Sequence, residues 1–106
     1  MTKYNAKKTV LDGITFASRK ESKRYQELKL LECAGEIAEL RLQVPFILLP
    51  KQHGEQAVKY IADFTYLDKR LNWEQVVEDT KGVKTPLYVI KRKLMLFIHG
   101  IKIKEV

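Results

Sequence analysis

An α/β (α+β) domain with the order helix, three or four strands, helix, strand is predicted by three features of the chain. Apolar residues recur at helical spacing through Tyr25, Leu28 and Leu31, between a serine start at Ser18 and a stop at Gly35. Extended, β-rich runs follow up to Lys81, broken only by short polar connections. Thr85-Pro86 then opens a second helix that Gly100 stops, and Ile101, Ile103 and Val106 alternate after it as a final strand.

Within that order each element has its own signal. Residues 1–12 hold Lys3, Lys7 and Lys8 with no acid before Asp12. They read as a flexible basic arm able to lie along a phosphate backbone, or equally as a frayed terminus. The first helix, about fifteen residues long, places Glu21 on the inward face with Tyr25 and Leu28. Ser18 and Glu21 have capping-box spacing, which is the favoured local explanation for that glutamate. Ile37, Leu40, Leu42 and Val44 to Leu49 form the first strand region, where Pro45 suits an edge or a bend. A polar connection from Pro50 to Gln56 leads to a strand from Ala57 to Leu67. Asp68-Lys69-Arg70 turns the chain, and Trp73 to Lys81 returns as the antiparallel partner.

The 106 residues suffice for one domain, and neither an internal repeat nor a linker divides 1–106. Apolar residues at 45% and charged residues at 31% fit a globular chain rather than a disordered or membrane one. Twenty Lys and Arg against thirteen Asp and Glu leave +7, which favours a polyanion such as DNA or RNA as partner, although a merely basic surface accounts for the charge equally well. Cys33 is the single cysteine, so no intramolecular disulfide forms, and a buried thiol in a reducing compartment is expected. His53 and His99 have no cysteine near them, give zinc little support and read as surface residues. No run has the length of a signal core or a bilayer span, so a cytoplasmic protein is expected, with no membrane partner.

Chemistry concentrates in Glu78-Asp79-Thr80-Lys81-Gly82, at the end of a strand. Alternation puts Asp79 and Lys81 on one face and Glu78 and Thr80 on the other, which leaves Glu78 no catalytic role. A carboxylate beside an amine can hold a divalent cation and steer a water toward a phosphodiester. Taken alone, the triplet is more plainly an ordinary surface ion pair. Asp63 sits among apolar neighbours on the face of Ile61 and Thr65, where an acid is costly unless it is paired, hydrogen-bonded or metal-bound. Cross-strand neighbours lie about 5 Å apart, so Asp63 either converges with Asp79 or forms a hairpin salt bridge to Lys81.

Taken together, the chain resembles the PD-(D/E)xK nuclease superfamily. More narrowly, Lys3-Tyr4-Asn5-Ala6-Lys7-Lys8-Thr9, Asp12-Gly13-Ile14-Thr15-Phe16, Ser18-x-x-Glu21, Gly35-Glu36-Ile37, Ile61-Ala62-Asp63-Phe64 and Glu78-Asp79-Thr80-Lys81-Gly82 are similar to a small phage and prophage family within it. That family is regarded as endonuclease-like or Holliday-junction-resolvase-like. The resemblance implies a restriction-endonuclease-like core with a mixed sheet, metal ligands at Glu21, Asp63 and Asp79, and a catalytic lysine at Lys81. It also implies Mg²⁺ as cofactor with Mn²⁺ as substitute. Ile61-Ala62 replaces the proline of some relatives, and Ala17 stands where a polar residue is expected.

Gln43 and Lys91 match weaker positions beside the site. A backbone hydrogen bond for Gln43, and a Lys91 lying over Leu87 and Ile98, account for them as well. The implied activity is hydrolysis of branched or junction DNA by a homodimer in phage or prophage DNA processing. Lys3, Lys7, Lys8, Lys20, Arg24, Lys84, Lys91, Arg92 and Lys93 would supply phosphate contacts. To share a cation, the three acids must come within about 4 to 6 Å. The competing expectations are a noncatalytic nucleic-acid-binding or packaging accessory protein on a nuclease scaffold, and a structural phage protein with a solvated charged surface.

Overall fold

The computed structural model describes residues 8–106. Lys3 and Lys7, and with them most of the expected basic arm, lie outside the described residues. The elements are β1 (Thr9–Leu11), β2 (Ile14–Phe16), α1 (Arg19–Cys33), β3 (Ile37–Leu49), β4 (Val58–Asp68), β5 (Glu74–Asp79), α2 (Pro86–His99) and β6 (Lys104–Glu105). One 3₁₀ turn, Lys69–Leu71, joins β4 to β5. The domain is mixed α/β as predicted. Its four-stranded sheet runs β3-β4-β5-β6, with antiparallel pairs up to β5 and β6 parallel to β5, and β1 and β2 form a separate two-stranded sheet.

The end of the expected arm is corrected by β1. Asp12 and Gly13 both have positive φ, 53° and 75°, which is the two-residue turn that follows the right-handed twist of a tight hairpin. Thr9 to Leu11 therefore pair with Ile14 to Phe16 instead of trailing as coil. The Asp-Gly dipeptide between apolar residues was the signal for it. Phe16 then packs against Tyr25 with ring centroids 5.1 Å apart, which fastens the hairpin to α1.

Both helices start and stop as their end signals require. Ser18 Oγ accepts the Glu21 N–H at 3.1 Å, and Thr85 Oγ1 accepts the Tyr88 N–H at 3.2 Å ahead of Pro86. Helix α1 fully buries Glu21, Ser22, Tyr25 and Leu28 and nothing beyond them. Cys33 lies in its last turn, past the end of the buried stripe, and is exposed, so the expected buried thiol is not found. Strand β3 is the sheet edge, which is why Pro45 is tolerated inside it.

Two apolar clusters make the core. One joins α1 to Phe16, Ile37, Phe64 and Tyr66, with Leu40, Leu42 and Val76 against it. The other joins α2 to Leu48, Tyr60, Ala62, Val77 and Ile103, with Phe46 against it. Val76 and Val77 are neighbours on one strand, so the clusters and their helices lie on opposite faces of the sheet. Tyr60 and Ala62 nevertheless pack with α2 while Phe64 and Tyr66 pack with α1, although strict alternation would put all four on one face. In β3 the same change falls between Leu42 and Phe46. Both strands thus reverse the phase of their pleat at one level. The rungs Leu42↔Phe64 and Val44↔Ala62 flank it, and Gln43 and Asp63 between them are unpaired. Gln43 accommodates the reversal with φ of 53°.

Candidate functional site

The pairing of β4 with β5 ends at Phe64↔Glu78. Beyond that rung Asp79 turns to β6, its carbonyl accepting the Val106 N–H at 3.0 Å, and Asp63 is left at the mouth of the fork. Left-handed backbone at a non-glycine residue costs on the order of 1–3 kcal/mol. At Gln43 it aims the side chain at two acids: Nε2 donates to Glu21 Oε1 at 3.0 Å and to Asp63 Oδ1 at 3.4 Å. Gln43 therefore bridges helix and sheet through its side chain. Thr80 stays on the α1 side with Glu78, as alternation expects: it reaches Asp63, which Gln43 links to Glu21 of α1, whereas Asp79 meets Tyr60 of the α2 cluster. The Thr80 backbone N–H and hydroxyl each donate to Asp63 Oδ2 at 2.8 Å.

Asp79 is 1% exposed. Its Oδ2 accepts the Tyr60 hydroxyl, while Oδ1 is buried without a hydrogen bond. Lys81 Nζ approaches that oxygen at 3.4 Å, an ion-pair distance. The same ammonium lies 4.7 Å from the Tyr88 ring centroid, so an aromatic face and a carboxylate fix it from two sides. Lys20 Nζ donates to the Lys81 carbonyl at 3.2 Å. A cleft of about 340 Å³ opens here, lined by Lys20, Glu21, Asp63, Thr80, Lys81 and Gly82 among others. Asp79 does not line it and is coupled to it through Lys81.

The acids repel one another. Burial, then the charges of Asp63 and Asp79, push the Glu21 carboxyl up to about 7, against the Ala17 amide and Lys81, which favour its ionised form. Burial likewise pushes Asp79 up to about 6; the Tyr60 hydrogen bond and Lys81 oppose this and the Asp63 charge adds to it. In the folded state Glu21 holds a proton that it releases when unfolded between about pH 4.5 and 7, and Asp79 one between about pH 3.8 and 6, so stability is greatest below these windows and falls as pH rises through them. The metal-free protein is expected to lose about 2 kcal/mol or more between pH 5 and pH 8. Millimolar Mg²⁺ should restore much of this at pH 8 and little at pH 5. Thermal melts at the two pH values, with and without Mg²⁺, check it, and melting points that ignore both variables would refute it.

Among the described residues no three His, Cys, Asp or Glu side chains form a group able to hold a metal ion together. The expected gathering of Glu21, Asp63 and Asp79 around one cation, which needs all three within about 4 to 6 Å, is therefore not found: Gln43 links Glu21 to Asp63, and Asp79 is held by Tyr60 and Lys81. The donor set still fits a hard divalent cation. Its ligating atoms are all carboxylate oxygens, one of them buried and unpartnered, and Mg²⁺ commonly uses only one or two carboxylates and keeps its waters.

Other expected residues divide. Gln43 is at the site. Lys91 is half-buried and lines an adjoining cleft with Lys81. Lys8 and Lys93 are exposed. Arg24 is corrected: it does not face a phosphate but makes a two-pronged bond to Glu78, at 2.8 and 2.7 Å. Glu78 is fully buried and also accepts the Tyr66 hydroxyl, so its carboxylate is occupied within the fold. Lys84 and Arg92 pair with Glu105 at 3.5 and 3.0 Å, so neither is the free phosphate contact expected. The expected capping box is half made. Ser18 caps the helix, and the Glu21 carboxylate reaches back to the Ala17 amide, one residue before the cap, while also accepting from Gln43.

Thr80, Tyr60 and Tyr88 were missed. Their only signal was position, one residue past Asp79, three before Asp63, and at the start of the helix that follows Lys81. Residues 1–104 match the family described as Protein of unknown function (DUF1064). No curated protein and no solved structure matches the chain.

Proposed function

The chain belongs to this family, and from its site we propose that it is a Mg²⁺-dependent deoxyribonuclease of PD-(D/E)xK type, with Mn²⁺ as substitute metal. One observation carries the reading. At a fork between two strands, a buried aspartate with an unpartnered oxygen stands 3.4 Å from an ammonium, and a second aspartate is fixed at the same fork by three donors. A surface ion pair has no need of such an arrangement, whereas phosphodiester hydrolysis requires anionic ligands and a held cationic donor side by side.

Asp63 and Asp79 would hold the ion, with Glu21 acting directly or through water. When bound, the ion supplies Lewis-acid stabilisation of charge on the phosphate oxygens. The remaining work falls to the chain. Thr80 and Gln43 hold Asp63 in one orientation. Tyr60 and Tyr88 hold Asp79 and Lys81, so the ammonium is positioned to orient the attacking water and to counter negative charge on phosphorus. Lys20 brings a further cation to the edge of the cleft. The positive excess favours a nucleic-acid substrate and contacts that do not read base sequence, so branched or junction DNA in phage or prophage DNA processing is the proposed target. A homodimer would cut two strands symmetrically.

The lack of a three-acid cluster among the described residues favours one rival, a noncatalytic nucleic-acid-binding or packaging accessory protein on a nuclease scaffold. One assay separates them. Branched, duplex and single-stranded DNAs are incubated with Mg²⁺, Mn²⁺ or EDTA, beside the Lys81→Met protein. Metal-dependent cutting that falls at least about 100-fold in the variant is expected. Binding without cutting under every metal would leave the rival standing.

A further inference from the structure

We propose that the cleft adjoining Lys81 on its α2 side is a subsite for an unpaired nucleobase, with Ile61 and Leu87 as the apolar surface against which the base packs. The inference rests on the nuclease reading above and names the substrate class of that site. This second cleft, about 240 Å³, shares Lys81 and Thr85 with the cleft that holds Glu21 and Asp63, so the two adjoin across those side chains.

Their chemistry changes across the shared lysine. Acids line one side. On the other side no acid lines the wall, Ile61 is 44% exposed and Leu87 61% exposed, and Lys91 lies beside them. Base and phosphate of one nucleotide are separated only by the sugar. A strand whose phosphate lies at Lys81 therefore brings its base to this apolar wall, and Lys91 is placed for a neighbouring phosphate.

A paired base cannot reach the wall without leaving the stack, which costs a few kcal/mol, whereas a base at a flap or branch is already free. Packing of a base on an apolar side chain is also indifferent to its identity. The subsite thus selects unpaired over paired DNA and not one sequence over another. The shared lysine at the border with the acid-bearing cleft, and Lys91 on the same wall, argue for a polyanion's base as the occupant.

The test uses a flap DNA with 2-aminopurine at its first unpaired nucleotide, titrated with protein in EDTA so that no strand is cut. Wild type is expected to change the fluorescence of that base at least about twofold, and the Ile61→Ser/Leu87→Ser double variant to lose most of the change. A full response in the variant overturns the proposal, as does flap binding by wild type with no response. So does a change in sedimentation caused by the same substitutions, which would make the patch a contact between copies.

Cleavage in Mg²⁺ is scored separately, as the ratio of flap to same-sequence duplex. A wild-type ratio of about tenfold or more should fall toward one in the double variant. A fluorescence response without cleavage would remove the nuclease reading and leave the base subsite, and cleavage without the response would do the reverse.

Discussion

Asp79→Asn is expected to abolish Mg²⁺-dependent cleavage, by about 1,000-fold or more, and at the same time to make the metal-free protein more stable at pH 8. Both effects have one cause. The carboxylate is buried, its Oδ1 lacks a hydrogen bond, and burial raises its proton affinity to about 6. An ionised Asp79 therefore costs the fold free energy that a neutral amide of the same shape does not, while the amide oxygen can still accept from Tyr60. The gain should be about 2 kcal/mol or more at pH 8, fall to about half of that at pH 5, and vanish only below about pH 4, where the unfolded chain also carries Asp79 protonated. Urea melts at both pH values, beside the cleavage assay, check it. A variant that is inactive and also destabilised at pH 8 would show that Asp79 serves the fold and not a ligand.

The largest loss of stability is expected from Arg24→Met. Glu78 is fully buried and accepts both prongs of the Arg24 guanidinium as well as the Tyr66 hydroxyl, with Lys104 Nζ 3.9 Å away. Removing the arginine strands a charge in the interior, at about 3–5 kcal/mol, which for a domain of this size lowers the melting point by more than about 10 °C. Adding Glu78→Gln should recover at least half of that loss, because the stranded charge disappears and Tyr66 still finds an acceptor. A loss below about 1 kcal/mol in the single variant would mean that Glu78 is not held by Arg24. The pair also bears on the site. Arg24 follows Glu21 by nearly one turn of α1 and Glu78 precedes Asp79 on β5, so this clamp sets the distance between the elements that carry two of the acids.

The helices, the β4–β5 hairpin and the final strand were legible because local rules mark them: caps at Ser18 and Thr85, glycines at Gly35 and Gly100, and a polar turn at Asp68. Glu21, Asp63 and Lys81 were legible as oddities, charged groups on faces otherwise apolar or at a strand end. What was not legible depends on pairs far apart in the chain. Nothing near Arg24 announces a partner 54 residues away, and so it passed for a surface cation. Alternation correctly separated Asp79 from Glu78 and Thr80, but it gave no sign that Thr80 would hold Asp63, a residue 17 positions earlier. The reversal at Gln43 and Asp63 escaped for a deeper reason: even-numbered apolar residues continue through it in both strands, so the pattern is unbroken while the face it addresses changes.

That reversal divides the labour of the molecule. Each helix has its own apolar partners on either side of the Gln43 level, Phe64 and Tyr66 for α1, Tyr60 and Ala62 for α2, and neither set needs the polar pair between them. Substitutions that repack one half can be compensated within that half. The seam carries no apolar contact that either core depends on, so a change of side chain at Asp63 alters the chemistry of the fork while both apolar packings stay in place.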